Sequence, residues 1–176
     1  MDGDIAASSR GNGGDYPNLT ASAMKKENLS TDDYEKLKTF MGLYFDWYMA
    51  NPHSKPESHP LRVIEISEKK SLSQAKRGLE MAINDCVEMS SDWTPEQVAE
   101  ADARFAGRDT FTLSEVRRHY SRKYFQVLKR GRIQSVQEYY LLKGIADGGG
   151  IEAGAIERVQ IESMLARFEA SVMRTS

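Results

Sequence analysis

The chain has 176 residues, 40% of them apolar and 28% charged, with a formal net charge of −2. That length and apolar fraction suit one domain with a real core, and the near balance of charge excludes a global attraction to nucleic acid or membrane. The single cysteine, Cys86, excludes an intrachain disulfide and fits a reducing compartment, so a cytoplasmic protein is expected.

The charge is unevenly spread along the chain. From Asp85 to Asp109 seven acids stand against two bases, a local net of −5, and from Thr112 to Ile145 eight bases stand against two acids, a local net of +6. Either the two segments neutralise each other in the fold or one of them is a binding surface.

Residues 1–29 mix Gly, Ser, Asn and Asp with few aliphatic side chains, a composition that cannot offset the entropy of ordering, so a flexible N-terminal tail is expected. Its acidic, Gly-rich start lacks the basic residues and apolar run of a secretory signal. A first helix opens at Ser30, a good N-cap followed by Asp32 and Asp33, and runs to about Ala50. Tyr34, Leu37, Met41, Tyr44 and Tyr48 make one apolar stripe, and Phe40, Leu43 and Trp47 make a second beside it. So broad a face either packs deeply or presents one stripe to a partner; Tyr44, Trp47 and Tyr48 are the candidate protein interface, including one between copies of the chain. The longest apolar stretch, FMGLYFDWYMA, is short and interrupted by Asp46, so no membrane span is expected.

Residues 51–60, NPHSKPESHP, hold three prolines and read as a connector. LRVIEISEKK follows and is rich in β-branched residues, but with no partner strand elsewhere a helix is favoured. Leu72, Ala75, Leu79, Ile83, Cys86 and Met89 mark a clear helix from Ser71 to Met89. Thr94 before Pro95 starts another, stopping near Gly107. Thr112 with Glu115 has the form of a capping box and opens a helix that ends at Gly131. Ser135 with Glu138 repeats the box, and that helix stops at the glycines of 148–150. A last helix spans about Ala153 to Met173 and uses Ile161, Met164, Leu165, Phe168 and Val172. The sum is an all-α domain, a compact bundle of about six helices over residues 30–176.

The helix from Thr112 contains RRHYSRKYFQVLKRGR, residues 117–132, with seven cations and no acid. Leu113, Val116, Tyr120, Tyr124, Val127 and Leu128 share its core side, while Arg118, Arg122 and Lys129 fall opposite with Phe125 on their stripe. A ring among cations is what single-stranded nucleic acid requires, because phosphates want charge and bases want a stacking plane. The competing reading has Phe125 against another helix with the long cations lying over it. Arg118, Arg122, Phe125, Lys129, Arg130 and Arg132 are the candidate contact residues for an acidic protein or for nucleic acid. A helix-turn-helix comparison places the charge on the wrong helix, since the second helix offers Gln134 and Gln137 but no base before Lys143.

No catalytic set emerges. His53, His59 and His119 are isolated and show no metal-ligand spacing, Cys86 lies on an apolar helix side, and Asp85 with Glu88 is an ordinary pair of surface acids. Gly148, Gly149 and Gly150 lack the strand and the Lys-Ser/Thr of a phosphate loop. The sequence therefore predicts no metal and no cofactor. It favours a non-enzymatic protein-interaction module, an adaptor, regulator or inhibitor, with a nucleic-acid-binding regulator using residues 112–132 as the alternative.

Overall fold

Side chains that close the ends of helices set most of the architecture seen in the computed structural model, which describes residues 29–50 and 55–174. The expected tail therefore lies outside the described residues, except for Leu29, as do His53 and the first part of the connector. Ser30 Oγ accepts the Asp33 N–H at 3.0 Å and opens α1, Thr31–Tyr44. The backbone then widens into a π-helical turn over Phe45–Met49, ending at Ala50. The connector's later part forms a short 3-10 turn, Pro56–Ser58, and Pro60 occupies the first position of α2, Pro60–Glu68. His59 caps α2, its Nδ1 accepting the Leu61 N–H.

Ser71 caps α3, Leu72–Met89. Thr94 and Gln97 form a reciprocal box at the start of α4, Pro95–Phe105. Thr112 and Glu115 do the same for α5, Leu113–Tyr120. The expected long basic helix is interrupted here: α5 stops at Ser121 and a separate α6 runs Arg122–Arg130. Ser121 ends one helix and caps the next, with extended backbone and its Oγ accepting the Tyr124 N–H. The residues 135–138 make only half a box. Ser135 caps α7, Val136–Gly148, but the Glu138 carboxylate turns to the Gln134 N–H and to Arg130 instead. The last helix, α8, begins at Ile156 rather than near Ala153 and ends at Met173.

The result is all-helical among the described residues, with eight α-helices. α1 packs on α2 and α3, α3 on α5, α4 and α5 on α7, and α6 and α8 on α7. The core forms two adjoining clusters. Phe40, stacked on Phe105 at 4.6 Å, belongs to one with Leu37, Leu79 and Leu113. Tyr124, Leu142, Ile145 and Ile161 belong to the other. The bend at Ser121 explains the division: it lets Val116 enter the first cluster and Tyr124 and Val127 enter the second. Each large side chain so buried contributes about 1.5–3 kcal/mol.

Candidate functional site

The seven cations of residues 117–132 meet four different fates. Arg117 turns inward and is 2% exposed. Its Nε donates to Ser90 Oγ at 3.2 Å, while Nη2 is buried with no hydrogen-bond partner among the described residues. Burial, opposed by the charges of Asp102 and Asp92 and by Tyr44, pushes its pKa down to about 10. Asp102, whose carboxyl is pushed upward by burial, accepts the Ser114 N–H at 2.9 Å.

Arg118 is held by Glu157 of α8, its Nε and Nη2 donating to the two carboxylate oxygens at 3.2 and 2.7 Å. Tyr124 Oη donates to the same carboxylate at 2.5 Å. Burial pushes Glu157 upward, but the hydrogen bonds from Arg118 and Tyr124 outweigh it and hold the carboxyl below its ordinary value. Burial and then Glu157 push the Tyr124 hydroxyl well up. Arg130 pairs with Glu138, so it too is committed within the fold.

Arg122, Lys123, Lys129 and Arg132 remain, all exposed. Among the described residues no acid pairs with any of them. The first three lie on the outer face of α6 with Gln126. Gly131, at φ 72°, then takes the left-handed position that favours glycine and turns the chain so that Arg132 extends the same cationic end. Phe125 does not stand free among these charges. It is half-buried, packs on the second cluster and meets Tyr124 edge-on at 5.6 Å. The expected stripe of cations around an open ring is thus replaced by a cationic face without one.

The aromatic residues of α1 are placed differently from one another. Tyr44 is 1% exposed, a core residue rather than a contact. Trp47 and Tyr48, at the π-helical turn, are half-buried. Trp47 packs on Phe105 at 5.0 Å and carries the Arg104 and Arg108 guanidiniums at 4.4 and 5.0 Å from its ring centre. Sequence reasoning missed these two arginines because they lie in the segment with net negative charge. No ion pair among the described residues joins the acidic segment to the basic one, so direct pairing does not neutralise them.

Other chemistry is sparse. His59 Nε2 lies 3.1 Å from Asp46 Oδ1. His119 borders a cleft of about 150 Å³ with Leu29, Asp33, Phe111, Val116 and Tyr120, and burial and Arg118 lower its pKa. Burial pushes the Cys86 thiol up to about 12, which leaves it unreactive near neutral pH. Among the described residues no three His, Cys, Asp or Glu side chains gather as metal ligands, and no helix is long and apolar enough to cross a membrane. Comparison with protein-family models, curated proteins and solved structures finds no match.

Proposed function

We propose that the chain is a helical protein-interaction module that docks an acidic partner surface on the outer face of α6. The observation that carries this reading is the division within one basic stretch. Arg117 is buried and Arg118 and Arg130 are consumed by Glu157 and Glu138, while Arg122, Lys123, Lys129 and Arg132 stay exposed with no acid paired to them among the described residues. Four cations on one helix and its turn repel one another, so a complementary carboxylate surface is their natural counterpart. Phe125 decides between partner classes. With that ring packed inward, the face offers charge but no stacking plane, which suits carboxylates better than single-stranded bases.

The test is fluorescence anisotropy of labelled poly-glutamate and of single- and double-stranded oligonucleotides, titrated at low and moderate salt. The comparison protein is the triple variant Arg122→Glu, Lys129→Glu, Arg132→Glu, checked for folding by circular dichroism. The reading expects salt-sensitive binding of poly-glutamate that the variant loses. Oligonucleotides bound more tightly than poly-glutamate would give the face to phosphates instead, and no binding of either probe at low salt would overturn the reading.

A further inference from the structure

Helix α8 has two apolar sides. One side buries Ile161, Met164 and Leu165 in the second core cluster. The opposite side carries Ile156, Val159, Ser163, Ala166, Ala170 and Met173, every one of them exposed, with Ile156 at 60%, Val159 at 55% and Met173 at 80%. Their spacing alternates three and four, which is the repeat of a two-stranded coiled-coil seam. A solvent-facing side is ordinarily polar at those positions. The helix packs chiefly on α7, and these six positions stay exposed among the described residues.

The residues flanking the stripe identify what fits it. Glu162 and Glu169 lie along one edge, Arg167 and Arg174 along the other. When two copies of such a helix lie parallel, the acidic edge of each runs beside the basic edge of the other, and the coiled-coil offset of five residues joins 162 to 167 and 169 to 174. In the antiparallel arrangement acid edge would meet acid edge and arginine would meet arginine. We propose that a second copy of the chain docks on this face, giving a parallel two-fold dimer in which Glu162 of each copy pairs with Arg167 of the other and Glu169 with Arg174. The small side chains of Ser163, Ala166 and Ala170 let the helices approach closely, and the large ones at the ends bury the apolar area. Among the described residues, Glu162 and Arg167 hold partners within α8 itself, and Glu169 holds one on α7, all at the surface. Arg167 lies back on Ser163, Glu162 accepts from Arg158, and Glu169 accepts from Tyr139, contacts that cost little to exchange.

Sedimentation equilibrium on the full chain, from micromolar to millimolar concentration, reads the association. Two variants reverse one edge each: Glu162→Arg with Glu169→Arg, and Arg167→Glu with Arg174→Glu. The wild type should dimerise, each folded variant alone should associate about tenfold or more weakly, and an equimolar mixture of the two should recover the dimer. Oxidation of Val159→Cys should give a disulfide-linked dimer, because only parallel pairing sets that position beside its own copy. A wild type that stays monomeric throughout overturns the proposal. So do variants that dimerise like the wild type, a mixture that gains nothing over its components, or a dimer that Val159→Cys does not cross-link.

Discussion

Arg118 and Glu157 lie 39 positions apart and meet in a two-pronged ion pair whose shorter contact is 2.7 Å. The pair ties the end of α5 to the start of α8, and Tyr124 adds a third hydrogen bond to the same carboxylate. Both charged groups are about three-quarters shielded from solvent. Replacing Glu157 by Gln leaves the guanidinium half-satisfied, and a loss of about 1–2 kcal/mol in urea unfolding is expected. Tyr124→Phe should cost about 1 kcal/mol by the same measurement.

The same carboxylate sets an acid limb. Glu68, through a hydrogen bond from Lys38, and Glu157, through Arg118 and Tyr124, both have folded values below their unfolded ones. Their contribution is present above about pH 4.3 and is lost as pH falls through the folded values. Asp102 has the opposite sign. Burial raises its folded value, so its contribution is full below about pH 3.9 and is lost as pH rises through that raised value. Thermal unfolding followed from neutral pH into acid should show a shallower decline for Glu157→Gln than for the wild type. For Asp102→Asn the decline should be steeper.

Arg117 is a buried charge with one weak hydrogen bond and no carboxylate in ion-pair contact among the described residues. An apolar chain of similar length should replace it at little cost. Arg117→Met is expected within about 1 kcal/mol of the wild type, or more stable, whereas Arg117→Ala leaves a cavity and loses about 2–4 kcal/mol. A large loss in the Met variant, measured by denaturant unfolding, would show that the charge itself stabilises the fold through Asp102.

Two glycines of α7 should respond oppositely to alanine. A Cβ at Gly144 would touch Val98 Cγ1 at 3.6 Å, an ordinary contact, so Gly144→Ala should stabilise by about 0.5–1 kcal/mol through helix propensity. A Cβ at Gly148 would sit 2.5 Å from Asp102 Oδ2 and 3.0 Å from Ser114 Oγ, inside the polar contact that joins α4 to α5. Gly148→Ala should therefore destabilise. Midpoints of chemical unfolding for the two variants should fall on opposite sides of the wild type.

The caps were the most legible part of the fold, because Ser30, Thr94 and Thr112 each advertise a local hydrogen bond that needs no tertiary context. The break at Ser121 was hidden for the opposite reason. The apolar period of Tyr120, Tyr124 and Val127 runs straight through it, and only the existence of two core clusters gives the bend a purpose. Within the basic stretch Arg117 and Arg118 look alike in sequence. What separates them from Arg122 and Lys129 is a burial and a partner at Glu157 that arise from folding. The second stripe of α8 escaped notice because Ser163, Ala166 and Ala170 are too small to register as an apolar face beside Ile161 and Leu165.

The most direct test of the docking face is a titration of the ¹⁵N-labelled chain with poly-glutamate, followed by backbone and side-chain NMR at low salt. Shifts concentrated on Arg122, Lys123, Lys129 and Arg132, with Arg118 and the Trp47 indole unmoved, are the predicted result. Shifts centred on Trp47, Arg104 and Arg108, or none on α6, would contradict the account.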